Sequence, residues 1–104
     1  MTGKLYVEAV AHSPEGDRPF IVRGQSARTL VALVAAGDQG TTAAAESCWA
    51  YRLAAYCHEL RTRHALAIRT EREEHPGGWH GRHVLETPVT IRFVADPEQE
   101  AEAA

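Results

Sequence analysis

The chain has 104 residues and only two cysteines, Cys48 and Cys57. Both lie in or beside one stretch that reads as a helix. Nine residues of helix set their Cα atoms roughly 13 Å apart, beyond the reach of a disulfide. Buried free thiols are the expected state. No apolar run approaches the length of a transmembrane helix, so no membrane partner is expected. The first residues, MTGKLYVEAVAHSPEG, lack a signal peptide's long apolar segment, and Glu8 interrupts them. A cytoplasmic location is the expectation. There is no GxSxG, P-loop, paired-carboxylate motif or internal repeat, which argues against an enzyme. CxxC-like pairs are missing too. His75, His80 and His83 lie close together, and Cys48, Cys57, His58 and His64 lie elsewhere. These do not make four convergent ligands, so neither metal nor cofactor is expected.

The chain also lacks a strong charge of either sign, with a formal net charge of −3. Its distribution matters more than its sum. Asp96, Glu98, Glu100 and Glu102 crowd the last residues, and without them 11 basic residues face 10 acidic ones. Trp49 to His83 holds six arginines, four glutamates and five histidines. That is a mild basic bias, not the footprint of a strongly basic nucleic-acid binder. At 44% hydrophobic and 24% charged, the composition is that of a globular chain.

The longest patterned stretch is Trp49 to His64, WAYRLAAYCHELRTRH. Leu53, Tyr56, Cys57 and Leu60 recur at offsets 0, 3, 4 and 7, which makes one apolar stripe on a helix. Tyr51, Arg52, Ala55, His58, Glu59 and Thr62 fall on the opposite face. Arg61, Arg63 and His64 suit the negative end of the helix dipole.

Before it, Lys4 to His12 alternates as a strand, SPEGDRP (13–19) is dense in turn formers, and Phe20 to Arg23 reads as a pairing strand. Ser26 is placed to cap a helix over Ala27 to Ala36, which Gly37 ends. A turn follows over Asp38 to Thr41. Thr42 then caps a short helix, Ala43 to Ser47. After the central helix, Ala65 to Arg72 reads as a strand, Glu73 to Gly81 as a Gly- and Pro-rich loop, and Arg82 to Thr87 and Thr90 to Val94 as strands. The segment 96–104 reads as a disordered acidic tail.

Helix, short helix, longer helix and then a hairpin is the order of a winged helix-turn-helix. The expected fold is therefore α+β, with three helices, a C-terminal wing hairpin and additional strands at both ends. One domain is expected over 1–95: an N-terminal hairpin (1–24), three helices (26–64), and the wing with the last strand (65–95). The features ARTL (27–30), AAGDQGTT (35–42), W-x-x-R-L-A-A-Y-x-x-E-L-R (49–61), IRTE (68–71) and GRHVL (81–85) resemble small winged-helix domain proteins of bacterial and phage origin. The likeness covers Arg23 to Leu85. It departs from the pattern at Arg63-His64, where relatives place a glycine before the first wing strand. The resemblance implies a DNA-binding role for the third helix and wing, and supplies no catalytic residue.

On that reading the candidate double-stranded DNA contacts follow. Tyr51, Arg52, Ala55 and His58 face the groove, with Arg52 suited to reading guanine. Arg61 and Arg63 suit phosphates. Arg69, Arg72 and Arg82 lie on the wing strands. Trp79, at the wing tip, has three readings: wedging into a groove, binding a partner, or folding back onto the sheet; the last two are favoured over the first. The leading function is a small DNA-binding transcriptional or phage-type regulator. The alternative is a winged-helix module that docks a partner protein or a second copy of itself.

Overall fold

The computed structural model describes residues 5–43 and 52–96. Strand β1 (Tyr6–Ser13) and β2 (Gly16–Arg23) form an antiparallel hairpin, followed by helix α1 (Gly24–Ala36) and a 3-10 turn (Gly37–Gln39). Helix α2 (Leu53–His64), β3 (Ile68–His75), β4 (Gly78–Leu85) and β5 (Val89–Ala95) complete the order. One sheet runs β2-β1-β5; a second pairs β3 with β4 and is extended by Thr41, which bridges to His83. The described residues thus hold two α-helices, not three. The expected helix Ala43–Ser47 lies outside them except for Ala43, which sits in a turn. Tyr51, Trp49, Cys48 and the tail from Pro97 onward also lie outside.

The alternation in β1 is realised as expected. Val7, Ala9 and Ala11 are buried against α1, while Glu8 is exposed on the other face. Strand β2 is longer than its apolar run, because only Pro14 and Glu15 make the turn. Gly16, at φ 130°, lets the chain re-enter the ladder at once.

Helix α1 starts two residues before the expected cap. Gly24, at φ 74°, turns the chain directly from β2 into the helix. Ser26 is consequently not a cap: it lies buried in the first turn, and its hydroxyl donates to the Glu59 carboxylate of α2. A tertiary partner has replaced the local one.

Leu30 and Leu33 of α1 meet Leu53, Cys57 and Leu60 of α2 in the core, all fully or almost fully buried. Three of the four residues in the expected α2 stripe are therefore central, and Tyr56 is half-buried. The helix ends at His64 without a glycine. Ala65 takes the left-handed conformation at φ 54°, and the Leu66 amide turns back to the Leu60 carbonyl at 3.3 Å. The backbone reversal usually assigned to glycine is here made by alanine.

The hairpin beyond it corrects the expected loop over 73–81. Strands β3 and β4 continue to His75 and from Gly78, so only Pro76 and Gly77 form the turn. Proline followed by a glycine at positive φ, here 95°, suffices for a tight reversal. The other glycines of the segment, Gly78 and Gly81, lie within β4.

Candidate nucleic-acid interface

The solvent face of α2 begins at Arg52, the residue preceding its first turn, which is exposed and has no carboxylate partner among the described residues. Ala54 and Ala55 follow, both exposed, then His58 and Thr62. The Thr62 hydroxyl donates back to the His58 carbonyl at 3.0 Å, and His58 itself is exposed. Arg63 extends from the last turn with its side chain 74% exposed, 3.4 Å from Glu59 one turn earlier. Small alanines flanked by two cations allow close approach of a flat or grooved anionic surface. Tyr51, expected on this face, is outside the described residues.

Arg61 does not join this face. Its guanidinium donates to the Ile68 carbonyl through Nε (3.0 Å) and an Nη (2.7 Å), and to the Thr70 hydroxyl at 2.9 Å. The expected phosphate ligand instead ties α2 to the base of the hairpin. The Thr70 hydroxyl in turn meets Nδ1 of His83 at 2.9 Å, and His83 exchanges backbone hydrogen bonds with Thr41. Burial, with Arg61 adding to it, pushes the His83 imidazole below its ordinary value. Burial likewise raises the Cys57 thiol to about 11, against the opposing pull of Arg61, so it stays protonated at neutral pH.

The hairpin places Arg69, Arg72 and Arg82 as the sequence suggested, and gives each a carboxylate. Arg69 contacts Glu71 at 2.8 Å and Glu86 at 3.2 Å. Arg72 lies 3.6 Å from Glu74. Arg82 contacts Glu73 at 2.7 Å and donates to the Gln39 carbonyl at 3.2 Å. Hydrogen bonds from Arg82 and then His80 hold the Glu73 carboxyl below the usual range. Three arginines and three glutamates between Ile68 and Leu85 leave the wing without net charge.

The pairing of these glutamates with the wing arginines is what the sequence reading passed over. The signal was in RTEREE: Arg69 and Glu71, like Arg72 and Glu74, are two apart on a strand and so share a face.

Trp79 is on β4 rather than in a loop, 56% exposed. The Arg72 guanidinium lies over its ring at 4.7 Å, a cation–π contact that covers one face of the indole. On the opposite side of the hairpin His75 and His80 stack with ring centroids 5.1 Å apart. His83 is turned away toward Thr70, so the three histidines do not converge. Among the described residues no three potential ligands are grouped for a metal ion, and no helix is long and apolar enough to cross a membrane.

No curated protein and no solved structure matches the chain. A family model described as a winged helix domain matches residues 19–95, from the second strand of the N-terminal hairpin through β5. Helices, Thr41 bridge and β3–β4 hairpin all fall inside that span. With about three quarters of its length matched, the chain belongs to the winged helix domain family.

Proposed function

We propose that this protein is a small DNA-binding regulator that contacts double-stranded DNA mainly through α2. The observation carrying this reading is the solvent face of α2, where Arg52, His58 and Arg63 surround the exposed Ala54 and Ala55. A helix of this kind fits the major groove, with its first exposed turn near base edges and its end near the backbone. Winged helix domains commonly bind DNA. The wing here has a lesser electrostatic part, because Arg69 and Arg82 each hold a carboxylate, at 2.8 and 2.7 Å, whereas Arg63, 3.4 Å from Glu59, keeps its side chain 74% exposed. Its tip contributes through Arg72 and Trp79.

The experiment is a fluorescence-anisotropy titration of selected and random duplexes at several salt concentrations. Arg52→Ala is expected to cost about 1–3 kcal/mol at one base position and to relax specificity there. Arg63→Ala is expected to weaken binding to all sequences and lower the salt slope by about one unit. Arg69→Ala and Arg82→Ala should change the slope less than Arg63→Ala does. Absence of duplex binding by the wild type at low salt would overturn the reading.

One observation favours docking of a partner protein as the second reading: a wing without net charge, with Trp79 more than half exposed at its tip. Under that reading Trp79→Ala abolishes partner binding, and Arg52→Ala leaves it intact.

A further inference from the structure

The three-stranded sheet sets one face on the core and leaves the other open. Val7, Ala9 and Val22 belong to the core. Glu8 and its ladder partners Ile21 and Phe93 point the opposite way, with Ile21 44% exposed and Phe93 52% exposed. Val10, the next residue of β1 on that side, is only 9% exposed. It makes the floor of a groove of about 470 Å³, bordered by Glu8, Pro19, Ile21 and Arg92. That volume lies within the range of small-molecule sites.

Two opposite charges border this apolar floor, and both have bonding capacity left. On β5, Phe93 pairs with Glu8 and Ile91 with Ala9, so Arg92 is an extra residue, a β-bulge. A bulge interrupts the alternation of faces and re-aims a side chain. Ile91 packs against the core, while Arg92 and Phe93 are both exposed, and Arg92 borders the groove together with Val10 and Ile21. Its guanidinium has neither a carboxylate nor a hydrogen-bond partner among the described residues. Glu8 accepts the Tyr6 hydroxyl at 3.0 Å through Oε2, and its Oε1 has no partner among the described residues. The two charges form no ion pair with each other, so each remains available to a ligand.

We propose that this groove binds a free amino acid with an apolar side chain. The ligand's carboxylate pairs with the Arg92 guanidinium, whose planar fork of donors matches it. Its ammonium donates to Oε1 of Glu8, and its side chain covers Val10, Pro19 and Ile21. Charge complementarity selects this class. A simple carboxylic acid gains Arg92 but meets Glu8 as a like charge, and a simple amine suffers the reverse. A wholly apolar molecule strips water from both charges and gives neither a partner. A molecule with both signs beside an apolar body satisfies all three parts of the groove. The walls are exposed to solvent, so the expected Kd is weak, about 0.1–1 mM.

The test is a proton–nitrogen correlation NMR titration of the full chain with L-leucine and L-phenylalanine. Two analogues of phenylalanine each lack one charge: L-phenylalaninamide has no carboxylate, and hydrocinnamate has no ammonium. The amino acids are expected to shift the Glu8, Val10, Ile21 and Arg92 amides along one saturation curve. Each analogue is expected to bind at least about tenfold more weakly than phenylalanine. Arg92→Gln and Glu8→Gln change exposed side chains, and each is expected to weaken binding by about tenfold or more. If a variant fails to fold, the analogue comparison on the wild type decides. No shift of these amides by either amino acid up to about 20 mM overturns the proposal. So does an analogue that binds as tightly as phenylalanine, or a folded variant that binds as tightly as the wild type. Shifts of the same amides that follow protein concentration alone, without ligand, assign the face to a second copy of the chain and overturn it as well. None of these outcomes depends on whether DNA is bound.

Discussion

Two small residues, Gly40 and Ala65, mark where the backbone is most constrained, and they are constrained in opposite senses. Gly40 has φ 67°, and a Cβ there would stand 2.6 Å from both the His83 carbonyl oxygen and a Val84 methyl. The close approach is needed because Thr41 pairs with His83 immediately after it. Gly40→Ala is expected to cost more than about 2 kcal/mol, since strain and clash act together. Ala65 has the left-handed φ of 54° that suits glycine better. Ala65→Gly is expected to gain about 0.5–1 kcal/mol, the relief of the Cβ penalty less the entropy of a freer unfolded chain. Urea titration of both variants checks the pair; changes of the same sign would mean that one of the two backbone geometries is misassigned.

At the scale of elements, the important contact is between α2 and the hairpin. Arg61 looked like a surface cation because it lies in a run with Arg63 and His64, in the last turn of a helix. Its position one residue beyond Leu60 points it toward β3, where the Ile68 carbonyl and Thr70 hydroxyl accept its hydrogen bonds. Arg61→Ala is therefore expected to destabilise the fold by about 1–3 kcal/mol, the usual range for hydrogen bonds from a charged donor. The salt slope of DNA binding should stay as in the wild type. A slope lowered by about one unit with stability unchanged would return Arg61 to the phosphate-binding set. The wing arginines teach the same lesson about elements: a cation on a strand is read together with the acid two residues away and the acids across the ladder.

For the whole molecule, one buried imidazole, His83, and one half-buried imidazole, His64, set the response to pH. Burial holds both His83 and His64 below the ordinary value of 6.5. The unfolded chain therefore takes up their protons first as pH falls. Their contribution is fully present above about pH 6.5 and is lost progressively from there toward their folded values. Glu73, held under 4.5 by hydrogen bonds from Arg82 and His80, adds a separate loss below that pH. The urea midpoint is expected to be lower at pH 5 than at pH 8, and His83→Gln should reduce the difference. Equal midpoints at the two pH values would show that neither imidazole is withheld from water in the folded state.

The sequence by itself determined the order of the strands and of the two helices among the described residues, and the inward faces of β1 and α2, all of which follow from periodicity and spacing that a chain carries locally. The winged-helix class was legible in the likeness of its motifs to that family and is shown by the family model. The sequence also placed Arg52, Ala55, His58 and Arg63 on the exposed side of α2. What only the tertiary structure decided is which polar groups are free. Ser26 left its capping role because Glu59 comes to it from another helix. Arg61, Arg69 and Arg82 lost their freedom to partners brought near by the ladder and by helix packing. The place of β5 beside β1 is likewise a tertiary matter: Thr90 lies 78 residues after His12, whose ring meets its hydroxyl at 2.7 Å. Apolar periodicity survives folding because burial is non-directional. The availability of a charge or a strand edge does not, because it depends on directional partners that the linear order leaves far apart.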